Sequence, residues 1–436
     1  MMRFVLNKYL IGFLVSFTLS KVTGQANLDS LVSKNHYPFE LKEEGILGSG
    51  AGMLLDSAKK AEIFMFGENH GIREIAWLAN IIYEELAIEQ PRIVATEIGP
   101  YTAAEVEELI QLDKYEEFMD SWVNLHSVPF FFLKEEVPLI KTAIQKLPQN
   151  NPVIWGLDQE FVAGGSICLR HLEKLATTPE EKKAIKKAYR AYYLNPFFIG
   201  MGSGDALKKL QEAFKNSESK EARKLTEQLI LSHKIYKEQM GGDSRWSNQR
   251  REELMMENFL TYTEAIDSIP NMFLKFGAYH LHRGKSPSVK EALGLKITNW
   301  GREKGMNTMN VFIDAVQGET RDALMGGETP LQSTEVWEAS PFRKYVDKPA
   351  LFDLRPLRGH PDLENMNYRI RYMIAGYDYL ILLPHATPAT FMDGSLATHT
   401  YGIIILTIIL TILGVIIYFI IKFVKRKRRK RKNTLI

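Results

Sequence analysis

Acids and imidazoles follow four short apolar runs of the sequence, each typical of a buried strand. Glu68 and His70 follow residues 63–66, Glu97 follows 93–96, Asp158 follows 153–157, and His280 follows 272–276. Carboxylates and imidazoles that lie close together can accept, donate and relay protons, which is the chemistry that activates water for hydrolysis. We therefore treat the ends of these runs as the candidate active site.

The segment Gly67-Glu68-Asn69-His70-Gly71 is the most specific of these patterns. Glycines on both sides free the backbone to place His70 over the end of a strand. Glu74 follows one helical turn after His70, where its carboxylate could fix the imidazole tautomer. Glu97, directly after an apolar run, is expected to be partly buried and therefore to need a histidine or arginine partner.

The elements that must position these residues are typical of an α/β fold. Apolar runs alternate with segments of helical periodicity, which predicts a mostly parallel sheet with flanking helices. Further strands are predicted at 309–313 and 379–383, with a short one at 351–354. Residues 169–266 are rich in Lys, Glu, Ala and Leu and are predicted to form a helical insertion, broken near 195–204. Ligands of parallel sheets bind where the carboxyl ends of strands meet, so the candidate residues should converge.

Both ends of the chain have the pattern of targeting segments. Residues 1–24 combine a basic start, an apolar run and small residues before Gln25, which predicts a secretory signal peptide, with an N-terminal membrane anchor as the alternative. Residues 401–421 are uncharged and apolar, as in a transmembrane helix, and 422–436 are strongly basic. The positive-inside rule places such a tail in the cytoplasm. We therefore expect a single-pass membrane protein whose α/β domain, residues 25–400, lies outside the cytosol in a periplasmic or extracellular location.

The formal net charge of +3 does not indicate a nucleic-acid partner. Basic residues are concentrated in 422–436, whereas residues 25–400 contain more acidic than basic side chains. An acidic domain repels a phosphate backbone. The expected partners are instead a small-molecule substrate and, through the C-terminal helix, a membrane.

Several common catalytic motifs are missing from the sequence. It contains no Gly-x-Ser-x-Gly nucleophile elbow, no His-Glu-x-x-His zinc motif, no phosphate-binding loop and no dinucleotide fingerprint. A metal site remains an alternative use of the same residues, because His70, Glu97 and His280 could supply a His₂Glu ligand set.

The candidate residues resemble the erythromycin esterase-like family, part of a wider group that includes ChaN-type haem-uptake lipoproteins and Tiki-type metalloproteases. The similar blocks are Gly67-Glu68-Asn69-His70-Gly71 with Glu74, Val94-Ala95-Thr96-Glu97, Gly156-Leu157-Asp158, Arg251 with Met255 and Asn258, Phe352-Asp353-Leu354-Arg355, and Tyr377-Asp378-Tyr379-Leu380. Arg251, Met255 and Asn258 share one helix face, because they are spaced i, i+4 and i+7. This face would direct Arg251 at the site.

The resemblance implies a metal-independent hydrolase that cleaves an ester or lactone, with a macrolide-like substrate and a role in the response to antibiotics. His70 would be the general base that activates water. Glu97 and Glu68 would orient or polarise the site, and His280 would stabilise the tetrahedral intermediate. The residues expected to bind substrate are Arg251, Asp158 and Tyr279.

Two alternatives within the wider group remain open. A haem-binding protein of the ChaN type would use His280 or Tyr279 as the axial ligand. A Tiki-like peptidase would require a metal. The esterase interpretation expects no cofactor, so haem absorbance and sensitivity to a chelator distinguish the three.

Overall fold

The computed structural model describes five stretches of the chain and a few isolated positions between 410 and 422. The stretches are residues 27–120, 127–148, 150–284, 289–322 and 327–392. Within them the chain forms a central sheet between layers of helices.

Nine of the described strands form one sheet, and two more form a separate hairpin. The strands are β1 (His36–Pro38), β2 (Glu40–Lys42), β3 (Gly45–Leu47), β4 (Ile63–Glu68), β5 (Ile93–Thr96), β6 (Ile154–Gly156), β7 (Met272–Gly277), β8 (Thr308–Arg321), β9 (Glu328–Pro330), β10 (Ala350–Asp353) and β11 (Tyr379–Ala386). Their order across the sheet is β1-β10-β11-β8-β4-β7-β5-β6, with β9 paired to the end of β8. The strands from β11 to β6 are parallel, whereas β1, β9 and β10 pair antiparallel.

Helices of very different length surround the sheet. They are α1 (Leu28–Lys34), α2 (Ser49–Lys59), α3 (Arg73–Glu89), α4 (Pro100–Gln111), α5 (Tyr115–Asp120), α6 (Val137–Lys146), α7 (Gly165–Leu175), α8 (Pro179–Leu194), α9 (Asp205–Phe214), α10 (Lys220–Gly241), α11 (Ser244–Glu264), α12 (Ala278–Leu281), α13 (Leu293–Glu303), α14 (Thr334–Glu338) and α15 (Tyr368–Gly376). Short 3₁₀ turns lie at Lys134–Glu136, Arg343–Tyr345, Arg355–Leu357 and Pro361–Asn365.

The central strands are buried on both faces, which explains their unbroken apolar sequences. Every residue of β4 is buried; Phe64 and Phe66 pack into one hydrophobic core, and Ile63 and Met65 pack into the other. Burying a side chain of this size contributes roughly 1.5–3 kcal/mol. The two cores together fix the carboxyl ends of the strands at one edge of the sheet.

The described chain between β6 and β7 is helical and runs from α7 to α11. It breaks between Leu194 and Asp205, and α10 then packs against α11. Asp243 caps α11, because its side chain accepts 3.0 Å hydrogen bonds from the backbone N–H groups of Arg245 and Trp246. The first half of α11 brings Arg251 and Glu252 to the carboxyl ends of the strands, and the helix then leads to the start of β7.

The predicted mixed α/β fold with a mostly parallel sheet is confirmed, and strands are present at all of the predicted runs. The edge of the sheet differs from the prediction, since β10 and β1 pair antiparallel. The three-residue strands β1, β2, β3 and β9 were not predicted, because so short a segment contains no measurable alternation of polar and apolar residues.

The predicted location as a single-pass membrane protein is corrected by the structure. Among the residues described, none of the helices combines the length and the apolar character needed to cross a bilayer. The predicted signal peptide, residues 1–24, and most of segments 401–421 and 422–436 lie outside the described residues.

Candidate active site

His70 is held over the carboxyl end of β4 by contacts to its ring and its backbone. Its Nδ1 atom lies 2.9 Å from Oε1 of Glu68, the last residue of the strand. The Thr320 hydroxyl donates a hydrogen bond to the His70 carbonyl, and the Phe130 ring stacks on the imidazole with centroids 4.3 Å apart. Gly71 has a φ of +75°, a left-handed conformation that glycine adopts without strain. The ring is therefore fixed in place, and Glu68 favours a proton on Nδ1.

Glu97 lies between the two histidines of the site. His70 Nε2 is 3.4 Å from its Oε2, and His280 Nε2 is 3.4 Å from its Oε1. Gly277 N and an Arg251 nitrogen each donate a 2.7 Å hydrogen bond to this carboxylate. Any side chain at position 277 would place a Cβ 2.7 Å from His70 Nε2, so this close approach requires glycine.

His280 is oriented by Glu252 on α11. His280 Nδ1 lies 2.5 Å from Glu252 Oε1, and the other oxygen of Glu252 accepts a 2.7 Å hydrogen bond from Leu293 N. Each histidine therefore has a carboxylate at Nδ1 and directs Nε2 at Glu97. The site is a near-symmetric pair of carboxylate–imidazole units around one central acid.

Arg251 joins the ends of β5 and β6. Its guanidinium donates hydrogen bonds to both oxygens of Asp158, with Nε at 2.9 and 3.1 Å, and also to Glu97. Asn258, two turns further along α11, donates a 2.7 Å hydrogen bond to the Leu157 carbonyl. Arg251 and Asn258 lie on the face of α11 that contacts the strand ends. This is the face predicted to direct Arg251 at the site.

A buried lysine lies next to Glu68. Lys275 Nζ is 2.6 Å from Glu68 Oε1 and 2.7 Å from Glu136 Oε2, and all three side chains are exposed by 4% or less. Sequence reasoning missed Lys275 and Glu136, although a lysine inside the apolar run 272–276 was an available signal. It also missed Glu252, for which the sequence contains no signal.

Carboxylates keep both site histidines protonated at neutral pH. Burial alone would lower the pKa of His70, but hydrogen bonds and charges from Glu68 and Glu97 outweigh burial and raise this pKa to about 9. Burial also acts to lower the pKa of His280, and the charges of Glu252 and Glu97 outweigh it and raise this pKa to about 10. At pH 7 both rings are therefore cations.

The pKa values of two buried acids of the site shift in opposite directions. Burial would raise the pKa of Glu97, but the charges of His280 and Arg251 hold it well below its usual range. Burial raises the pKa of Glu136 to about 7, although Lys275 opposes this shift. Glu97 is thus a permanent anion near neutrality, whereas Glu136 can exchange a proton there.

A cavity of about 690 Å³ opens onto the site. Glu68, His70, Glu97 and His280 are among the residues that line it. The aromatic side chains of its wall are Tyr279, Phe312, Trp337, Tyr368, Tyr372 and Tyr377. A cavity of this size and composition is typical of sites for small organic ligands.

Six of the predicted site residues meet in one cluster, and the structure places the other two outside it. The cluster consists of Glu68, His70, Glu97, Asp158, Arg251 and His280. Tyr279 lines the cavity but is 59% exposed and lies 6.2 Å from the ring of Tyr372, so it belongs to the rim.

Glu74 does not contact the imidazole. Helix α3 begins at Arg73, so His70 precedes the helix and does not share a helical face with Glu74. The Glu74 carboxylate instead accepts a 2.9 Å hydrogen bond from Thr387 N. The tautomer-fixing role predicted for Glu74 falls to Glu68.

Metal ligation was the alternative use of these side chains. Within the described stretches of the chain, no group of three or more His, Cys, Asp and Glu residues is arranged to hold a metal ion.

Comparison with known proteins identifies the fold. No protein-family model and no curated protein matches the sequence. A solved protein from Bacillus cereus is 13% identical, with a TM-score of 0.53 over 84% of this chain and 100% of its own. A succinoglycan biosynthesis protein is 11% identical, with a TM-score of 0.53 over 85% and 99% of the two chains. A mutant of erythromycin esterase EreC in its open conformation is 12% identical, with a TM-score of 0.52 over 82% and 99%.

These similarities show a shared fold, and the resemblance to erythromycin esterase is confirmed at that level. ChaN of Campylobacter jejuni, solved with cofacial haem, is 10% identical and aligns with a TM-score of 0.31. So low a score carries no argument for the haem alternative.

Proposed function

We propose that this protein is a hydrolase that activates water with His70 and cleaves an ester or lactone bond. One observation carries the proposal: His70 Nδ1 is bound to Glu68 at 2.9 Å, while Nε2 lies beside Glu97 in the large cavity. A histidine that is oriented by a carboxylate through one nitrogen is arranged to take a proton through the other. The fold shared with erythromycin esterase supports this reaction class.

In the proposed reaction, a water molecule beside His70 Nε2 attacks the carbonyl carbon of the substrate. The water oxygen forms the new C–O bond as its proton passes to Nε2, and Glu68 stabilises the resulting imidazolium. Protonated His280 offsets the negative charge that develops on the carbonyl oxygen. The tetrahedral intermediate then breaks its bond to the leaving alkoxide, which takes the proton from His70.

The protonation states required by this reaction define its pH range. His70 must be neutral to accept a proton, and with a pKa of about 9 only roughly 1% of it is neutral at pH 7. His280, with a pKa of about 10, remains a cation up to higher pH. The general base and the electrostatic stabiliser coexist in the required states between these two values, so the enzyme should work best in alkaline solution.

The cavity wall favours a substrate with an apolar or ring-containing body, because six aromatic side chains line it. The direct test incubates purified protein with methyl 2-naphthoate and with a macrolide lactone at pH 9, with and without EDTA, and detects products by mass spectrometry. Hydrolysis that persists in EDTA is expected. Hydrolysis that EDTA abolishes would assign the site to a metal-dependent enzyme, and no hydrolysis of either substrate would contradict the proposal.

A further inference from the structure

Glu97 lines two separate cavities. The large one, of about 690 Å³, contains His70 and His280. The second, of about 230 Å³, is lined by Asp158 and Arg251 on the side of β6. Glu97 is the residue that the two linings share. An ester bond placed beside Glu97 would therefore lie against both cavities.

Phe130 separates the smaller cavity from His70. Its ring lines that cavity and stacks on the imidazole with centroids 4.3 Å apart. Its φ of +67° is a left-handed conformation that bulky residues rarely adopt. The neighbouring side chains of Phe131 and Phe132 are almost completely buried and anchor the segment. The fold therefore holds Phe130 in this unfavourable backbone conformation, with its ring between the smaller cavity and His70.

Gln159 lines the smaller cavity, and its side-chain oxygen has no hydrogen-bond donor among the residues that the structure describes. The residue is 5% exposed, and its Oε1 receives no hydrogen bond from any residue that the structure describes. Its backbone N–H donates a 2.8 Å hydrogen bond to Asp158, which fixes it next to the Arg251 pair. A buried acceptor without a partner is destabilising, so a ligand that supplies a donor would relieve this cost.

The charges around the smaller cavity disfavour an anion. Arg251 is the cationic residue in the described lining, and its guanidinium is already bound to Asp158 and Glu97. Two carboxylates against one guanidinium leave an excess of negative charge. Gln239 and Asn248 add neutral polar groups to the lining. Neutral hydrogen-bond donors suit this environment best.

We propose that the smaller cavity is a subsite for a short, hydroxyl-bearing alcohol portion of an ester whose bulky acyl portion occupies the large cavity. Gln159 Oε1 accepts a hydrogen bond from a hydroxyl group of that alcohol. The space is equivalent to about eight water molecules at roughly 30 Å³ each, which admits a three-carbon polyol and excludes a large ring. This inference rests on the proposed hydrolase function and specifies its substrate class.

The test compares esters of 2-naphthoic acid that differ in the alcohol alone: 2,3-dihydroxypropyl, propyl, 2-carboxyethyl and methyl. We expect the wild-type protein to hydrolyse the dihydroxypropyl ester with a kcat/KM about tenfold higher than that for the propyl ester. The carboxyethyl ester should be the poorest of the four substrates. In Gln159→Leu the preference for dihydroxypropyl over propyl should fall to about one, because the acceptor is removed.

Equal rates for the two alcohols in the wild type, or a preference that survives Gln159→Leu, would overturn the inference while leaving the hydrolase proposal intact. If the wild type cleaves none of the four esters, the hydrolase proposal has itself failed.

Since Gln159→Leu changes a buried residue, a second variant at an exposed position provides an independent test. Gln239→Trp adds a larger side chain to the lining of the smaller cavity, and Gln239 is exposed. It should lower the ratio of the dihydroxypropyl to the methyl rate by roughly fivefold. An unchanged ratio would also overturn the inference.

Discussion

Lys275 Nζ lies 2.6 Å from Glu68 Oε1, and both side chains are exposed by 4% or less. The same oxygen of Glu68 is bound to His70 Nδ1. Burial would raise the pKa of Glu68, but the charges of Lys275 and His70 lower it, so the carboxylate stays ionised. Lys275 therefore acts on the candidate base through Glu68 and is a positioning residue.

Replacing Lys275 should destabilise the fold more than replacing a surface lysine. Lys275→Met leaves Glu68 and Glu136 buried without their cation, and breaking a buried pair in this way costs about 3–5 kcal/mol. Urea unfolding measures the effect. Lys59→Met is the matched control, because its 2.7 Å contact to Glu89 is exposed to solvent and should contribute little. Similar unfolding midpoints for the two variants would contradict a structural role for the buried pair.

The pH dependence of hydrolysis should be bell-shaped with an alkaline optimum. The rising limb of kcat/KM follows deprotonation of His70 at about pH 9, and the falling limb follows deprotonation of His280 at about pH 10. Glu68→Gln removes a negative charge next to His70, so its pKa should fall and the rising limb should move to lower pH. A limb that stays in place would exclude His70 as the titrating group.

A substitution at Glu252 tests the falling limb of the pH profile. Glu252→Gln removes the charge that lies 2.5 Å from His280 Nδ1, so the pKa of His280 should fall and the rate should decline at lower pH than in the wild type. Glu253→Gln, at the adjacent exposed position of α11, is the control and should leave the profile unchanged. Matching shifts in both variants would show that the effect is not specific to His280.

Stability should decrease as the pH rises above neutrality. The folded-state pKa of His70 is about 9 and that of His280 about 10, both above the unfolded value near 6.5. Their contribution is therefore fully present below pH 6.5 and is lost as the pH rises through 9 and 10. The melting temperature of the wild type should fall between pH 7 and 10, and that of His280→Ala should fall less. Equal slopes for the two proteins would contradict the assigned pKa shift.

The sequence predicts the strands and the rim of the site for a clear physical reason. Buried parallel strands are short, continuous apolar runs, and polar residues such as Glu97 and Asp158 mark the points where they end. The contacts inside the site could not be predicted in the same way. Lys275 contacts Glu68, which lies 207 positions away in the sequence, and no local sequence pattern indicates that pairing. The Glu74 prediction failed because it assumed that the helix includes His70, whereas the helix begins at Arg73.

The central claim is that His70 takes the proton from water, and the most direct measurement is the rate of ester hydrolysis by His70→Ala at pH 9. We expect a loss of roughly 10²–10⁴-fold in kcat with the fold retained by circular dichroism. His385→Ala, which removes an exposed histidine of β11, should retain the wild-type rate. A folded His70→Ala protein that turns over at the wild-type rate would contradict the account.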